Sequence, residues 1–356
     1  MWRVAIGSRS LSCSGSLALA WLAALVLFLS GCGGDGEEAV PQVTATATSV
    51  GTPSSERPTA WPIALAINAD TKRVYVANQY IDTISVIDEE TNAIVATVPV
   101  GSRPQDIAIN PSTNRIYVVA LHDDTLTVID GDTNTVVATV RPGHSPLDVA
   151  VNPVSGRIYV TRWASRDLLV LDGDTNAEVG TIALGQSPMD VQVNPSTGRL
   201  YVANGVTEDL PVVDEDAAAV TATIPVGPGQ MDVAVNAATN RVYVARVPTS
   251  DISVIDGASN TVIATVAVGE RPCSVAVNPD ANRIYVANMD DDTVSVIDGA
   301  SNTVVATIAV GNRPSSLAVD PDTGRIYVAT ADDDAVSVID GANNAIVATI
   351  SVAATP

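Results

Sequence analysis

An all-β, seven-bladed β-propeller is the fold this sequence predicts, and three recurrences predict it. Arg73, Arg115, Arg157, Arg199, Arg241, Arg283 and Arg325 stand 42 residues apart. A tyrosine follows two residues after each of them, from Tyr75 to Tyr327. An aspartate closes each following run at the same interval, from Asp88 to Asp340. A period of roughly 40–45 residues built from short strands marks a propeller with one four-stranded antiparallel blade per repeat. One unit cannot bury both of its faces alone, so the seven pack as a single domain. The blades run 62–103, 104–145, 146–187, 188–229, 230–271, 272–313 and 314–356 within a domain of residues 60–356.

The elements read most plainly in the sixth unit. Ser274 to Val277 is the first strand, ended by Asn278-Pro279-Asp280, with proline set for the second position of a turn. Arg283 to Ala287 is the second strand and Thr293 to Ile297 the third. The third closes on Asp298-Gly299, and Thr303 to Val310 is the fourth. Polar alternation is weak because both faces of a blade pack on neighbouring blades. The 46% hydrophobic share is mostly Val, Ile and Ala, which suits stacked sheets of β-branched residues. Each unit is complete, so the ring is expected to close by packing blade 7 on blade 1. Strand exchange from Val43 to Val50 is the alternative.

Residues 1–31 read as a signal peptide. Arg3 and Arg9 form a basic start, and Leu17 to Leu29 is an apolar run too short for a comfortable membrane span. The run ends in Leu29-Ser30-Gly31-Cys32, which resembles the bacterial lipobox. That resemblance implies cleavage before Cys32 and lipid attachment to its thiol, hence an extracytoplasmic chain anchored to the cell membrane. Residues 32–59 are rich in Thr, Ala, Ser, Gly and Pro and read as a flexible tether.

Charge and cysteines narrow the partners. Removing Arg3 and Arg9 from the 18 basic residues leaves 16 against 40 acidic ones, a net charge of −24. Such a surface repels nucleic acid and anionic head groups, so neither is an expected partner, and a monomer is expected. Cys273 is the one thiol left to the domain, which excludes a disulfide framework. At a strand start it reads as a small buried filler.

Tyr75-Val76-Ala77-Asn78, Tyr201-Val202-Ala203-Asn204 and Tyr285-Val286-Ala287-Asn288 resemble the YVTN-type β-propeller repeat of bacterial and archaeal surface proteins. The Ser-Val-Ile-Asp-Gly and Val-Ala-Thr-Ile segments match it too, and the likeness covers residues 62–353. At the fourth motif position Ala120, Arg162, Arg246 and Thr330 depart from Asn. The resemblance implies a binding or scaffolding role and carries no catalytic residues.

In such propellers one face holds the links between blades and the loops joining strands two and three. The opposite face holds the Asn-Pro and Asp-Gly turns, which barely vary and read as scaffold. Outside the repeat tyrosines the domain has three aromatics, Trp61, Tyr80 and Trp163, all in linker-face loops. With Arg162 and Arg166 they are the expected anchors for a protein or glycan at the cell envelope. The Arg162-Trp163-Ala164-Ser165-Arg166 run combines a flat apolar side chain with two forked donors. Acidic runs at Asp123-Asp124, Asp290 to Asp292 and Asp332 to Asp334 read as solvated loops.

Four innermost strands begin with aspartate: Asp106, Asp148, Asp190 and Asp232. These carboxylates are expected to accept hydrogen bonds from nearby amides, or else to hold Ca²⁺ at the channel mouth. His122 and His144 with Asp148 raise a two-histidine-plus-carboxylate metal site. The sequence has no nucleophile elbow, phosphate loop or haem motif. The expectation is a non-catalytic binding or scaffolding module. The alternatives are a metal-dependent hydrolase or lactonase at the channel mouth, by analogy of fold alone, and a purely structural envelope component.

Overall fold

The computed structural model of this chain describes residues 59–185 and 187–353. The signal segment, Cys32 and the tether up to residue 58 lie outside the described residues, as does Val43 to Val50. The chain separates into two units, Met1–Ser55 and Glu56–Pro356, and every described residue belongs to the second.

Among the described residues there are seven antiparallel four-stranded sheets, each built from four consecutive strands. In blade 1 these are β1 (Pro62–Asn68), β2 (Arg73–Asn78), β3 (Thr83–Asp88) and β4 (Ala93–Pro99). The last blade supplies its own four strands from Pro314 to Ser351, so no described strand is exchanged across the closure. Ser315 Oγ donates to Pro62 O at 2.7 Å there.

The recurring residues have local reasons. Register places each repeat arginine opposite the aspartate that ends the third strand, as Arg73 opposite Asp88. Arg73, Arg115 and Arg283 bond to that aspartate, while Arg157, Arg199 and Arg325 reach a backbone carbonyl of the next blade. The aspartate's second oxygen ends the hairpin. Asp88 Oδ1 accepts from Glu90 N (3.1 Å), Thr91 N (2.9 Å) and Thr91 Oγ1 (2.8 Å). Those amide bonds, chiefly from Thr91, hold the Asp88 carboxyl below the usual carboxylate range. The residue after this turn takes a left-handed φ, as Asn92 does at 53°. Asparagine tolerates that region better than other side chains.

The repeat tyrosines build the joints between blades. Tyr75 packs with Ile107, Ile116, Val118 and Ile129 of blade 2, and Tyr327 packs with Val74, Val76 and Ile87 of blade 1. There are seven such clusters for seven joints. A fully buried aromatic side chain removes about 150–250 Å² from water, so each joint rests on one large anchor. At the periphery the pairing of the third and fourth strands slips by one residue in every blade, for example between Val86 and Ile87. That bulge blunts an otherwise open sheet edge.

Candidate functional site

The linker face is organised by aspartates that clamp the chain between blades. Trp61 N donates to Asp334 Oδ1 (2.9 Å), Arg103 N to Asp82 Oδ1 (2.8 Å), and Arg313 N to Asp292 Oδ1 (2.8 Å). Each donor has a left-handed φ near 55°. A second carboxylate braces the preceding residue: Asp123 accepts from Ser102 N, Asp291 from Glu270 N and Asp333 from Asn312 N. The acidic runs are therefore largely exposed, as expected, and also clamp the loops. Aspartate suits the role because a short acceptor can reach two or three amides of one turn.

On this frame the linker residues just before blades 7, 1 and 2 (Arg313, Trp61 and Arg103) line up with Tyr80 of blade 1. The Arg313 guanidinium lies over the Trp61 ring at 5.2 Å from its centroid. Trp61 stacks on Tyr80 with centroids 5.3 Å apart and planes at 30°. The Arg103 guanidinium lies over Tyr80 at 6.0 Å. Two of the expected anchors, Trp61 and Tyr80, are thus brought together, and Tyr80 is 45% exposed. Beside Arg313 an open cleft of about 440 Å³ is lined by Met289, Asp290, Asp292, Asn312 and Asp332.

Arg162 is not a surface anchor. Its Nε and Nη2 bind both oxygens of Asp167 at 2.7 and 2.6 Å, and Nη1 donates to Pro142 O at 2.9 Å. Only 14% of its side chain is exposed. Arg246 repeats this arrangement with Asp251 and Val226 O. Each arginine presses against a glycine of positive φ, Gly143 at 99° and Gly227 at 98°. An added Cβ on Gly227 would meet Arg246 Nη1 at 2.6 Å. Trp163 is half-buried, with its indole N–H lacking a partner, and Arg166 is exposed. The Arg–Trp–Arg run is consequently split between a loop brace and a separate surface patch.

The channel aspartates join inner strands. Asp106 accepts from Val149 N (3.1 Å), Asp148 from Val191 N (2.8 Å), Asp190 from Val233 N (2.8 Å) and Asp232 from Val275 N (2.6 Å). Ser274 Oγ continues the series to Leu317 N at 3.3 Å. A central cavity of about 420 Å³ runs between these strands, lined by Asp106, Asp232, Ser274 and strand backbone. Burial pushes all four carboxyls up, with Asp148 and Asp190 raised further by neighbouring carboxylates and Asp232 raised to about 7.

The expected metal sites are not assembled. Among the described residues no group of three or more His, Cys, Asp or Glu side chains is placed to hold a metal ion. His144, 85% exposed at its side chain, pairs with Asp124 at 2.8 Å, whereas Asp148 is buried against Val191. His122 is exposed in the next loop. Cys273 is half-buried, its Sγ donates to Pro314 O at 3.1 Å, and burial raises its thiol to about 12. It ties blade 6 to blade 7 and is no nucleophile near neutral pH.

Arg103 and Arg313 escaped the sequence reading. The signal lay in the linkers, where Arg103-Pro104, Arg271-Pro272 and Arg313-Pro314 occupy the position that Trp61-Pro62 holds before blade 1.

With this geometry the class of protein is settled as a repeat propeller whose variable residues gather in the linker loops. A profile of the YNCE-like beta-propeller family matches residues 43–220, half of the sequence, and the chain belongs to that family. No curated protein matches it in sequence. Among solved structures, Kuenenia stuttgartiensis hydrazine synthase is similar at 16% identity with a TM-score of 0.73, over 84% of this chain and 99% of that one. At that identity the likeness speaks for the fold.

Proposed function

We propose that this protein is a non-catalytic binding and scaffolding module, lipid-anchored outside the cytoplasm through Cys32, that receives a protein partner on its linker face. The Arg313–Trp61–Tyr80–Arg103 stack carries this reading. Aromatic and arginine side chains are the usual anchors of protein interfaces, and a pre-stacked set loses little side-chain entropy on binding. A sugar needs an open ring face, and here each ring is stacked on the other and covered by a guanidinium. That favours a protein over a glycan. The net charge of −22 argues against nucleic acid.

The test uses the tagged full chain to recover partners from the cell envelope, with Tyr80→Ala beside the wild type. Tyr80 is half exposed, so its truncation should leave the unfolding midpoint within about 1 °C. Recovery of the partner should drop about tenfold, the loss expected of an interface anchor. Equal recovery by both proteins would sink the proposal.

A further inference from the structure

The joint where blade 7 meets blade 1 differs from the other joints in one buried contact. In the other six blades the residue at that point of the innermost strand is asparagine, and at four of those joints its amide reaches into the next blade. Asn68 Nδ2 donates to Asn114 Oδ1 at 2.8 Å, Asn194 to Asn240 at 2.9 Å and Asn236 to Asn282 at 3.1 Å. Blade 4 has Gly198 at the acceptor position, and there Glu215 supplies the acceptor instead. Asn152 Nδ2 donates to Glu215 Oε2 at 2.5 Å, and Ser155 Oγ donates to the other oxygen.

Blade 1 also lacks the acceptor asparagine, having Lys72, and carries Glu89 where blade 4 carries Glu215. Blade 7, however, ends its inner strand with Asp320 in place of asparagine. The amide donor is gone, and the Asp320 carboxyl becomes a hydrogen-bonding and charged neighbour of Glu89. Glu89 is 3% exposed and Asp320 1% exposed. Asp320 already accepts from Asp322 N and Thr323 Oγ1. Glu89 Oε1 is buried with no donor to accept from. Two carboxylates cannot share a dry contact with both ionised, so a proton must lie between them.

We propose that Glu89 and Asp320 form a proton-operated latch on the joint that closes the ring, shut when Glu89 carries the proton and strained when it does not. The surroundings fit. The charged and titratable groups facing Glu89 are Asp320, Arg325 and Tyr327 from blade 7 and Lys72 from blade 1. Arg325 spends Nη1 on the Glu89 backbone carbonyl at 2.7 Å. Lys72 is turned outward to Glu90 at 2.7 Å, with more than half of its side chain exposed. Neither cation replaces the missing amide. Burial first, and then the Asp320 charge, push the Glu89 carboxyl up to about 7.

The rest of the joint leaves the latch consequential. The series of inner-strand acceptors ends at Ser274–Leu317, and among the described residues no such bond joins blade 7 to blade 1. The sign follows from the raised value. Between its ordinary value of 4.5 and about 7, folded Glu89 holds a proton that the unfolded chain has released, so stability falls as pH rises through that window.

Thermal unfolding of the full chain between pH 5.5 and 8.5 tests this in wild type, Glu89→Gln, Asp320→Asn and Glu215→Gln. Either latch substitution, Glu89→Gln or Asp320→Asn, restores an amide donor that does not titrate. The midpoint of each should gain on wild type by roughly 3–6 °C as pH rises across the range. Glu215→Gln, at a joint already served by Asn152, should run parallel to wild type in pH. Parallel traces for wild type and both latch variants would overturn the proposal. Hydrogen exchange gives a second reading on the wild type alone. Protection of Arg73–Asn78 and Arg325–Thr330 should fall by more than tenfold relative to Arg199–Asn204 between pH 5.5 and 8.5. A uniform change across the three strands would also overturn it.

Discussion

At the residue scale, the hairpin that closes the third strand shows how backbone conformation dictates side chains. Asn92, Asn134, Asn176, Asn260, Asn302 and Asn344 all sit at φ between 53° and 57°. The seventh copy is Ala218, at φ 48°. Alanine in this region costs about 1 kcal/mol because its Cβ crowds the following carbonyl, while asparagine and glycine tolerate it. Ala218→Asn should therefore raise stability by about 0.5–1 kcal/mol, read as a gain of roughly 1–3 °C in the unfolding midpoint. An unchanged midpoint would mean that the copy in blade 4 relaxes its turn some other way. The seven asparagine or alanine positions recur every 42 residues in the sequence, but the reason for the recurrence is a φ angle, which no composition reports. The same holds for Glu89, Glu215 and Asp320. They stood in the sequence as small departures from Asp-Gly and Asn-Pro turns, on a face read as invariant scaffold. Only their burial against one another revealed that Glu215 completes an amide–carboxylate contact while Glu89 and Asp320 make a carboxyl pair.

At the element scale, Arg162 and Arg246 show why a residue read alone misleads. Each was a departure from asparagine at the end of a second strand, and Arg162 looked like an exposed anchor beside Trp163. The third strand of the same two blades departs in step, with Asp167 and Asp251 where blade 6 has Thr293. In blade 6 the pair is Asn288 Nδ2 to Thr293 Oγ1 at 3.0 Å. In blade 5 it is a two-pronged ion pair with Asp251 largely buried. The strands are the same elements with the cross-strand contact exchanged as a unit. Arg246→Ala strands a buried carboxylate and should cost about 3 kcal/mol, lowering the midpoint by roughly 6 °C. The double change Arg246→Asn with Asp251→Thr rebuilds the blade 6 pair and should recover most of that loss. A double variant as unstable as the single would show that the ion pair is not separable from its blade. The strands themselves were legible because every blade repeats one hydrophobic pattern. The polar pairing was not, because it joins two departures five residues apart and neither residue signals it alone.

At the scale of the whole molecule, the ring keeps its ionisable groups on two opposed footings. The turn aspartates Asp88, Asp130, Asp172, Asp256 and Asp298 are half-buried, held low by backbone and hydroxyl donors, and ionised throughout the neutral range. The channel carboxyls are held high by burial and by each other, and they form one connected series through Asp106, Asp148, Asp190 and Asp232. For these four the folded state retains protons that the unfolded chain releases above its ordinary carboxylate value of 3.8, so their contribution to stability is lost as pH rises. Asp232, at about 7, sets the window in which loss becomes visible, from about pH 4 to 7. A net charge of −22 adds self-repulsion in the same direction. The ring should thus be most stable on the acid side of neutrality. Asp148→Asn tests the buried series. The amide oxygen can still accept from Val191 N while its N–H donates to a neighbouring carboxylate, with no proton required. At pH 8.5 this variant should be about 1–2 kcal/mol more stable than wild type, and the gain should shrink as pH falls to about 4, where the unfolded chain holds its carboxyl protons too. Denaturant unfolding at the two pH values measures both differences. A gain of equal size at both would assign the effect to the packing or hydrogen bonding of the amide rather than to titration of the buried series.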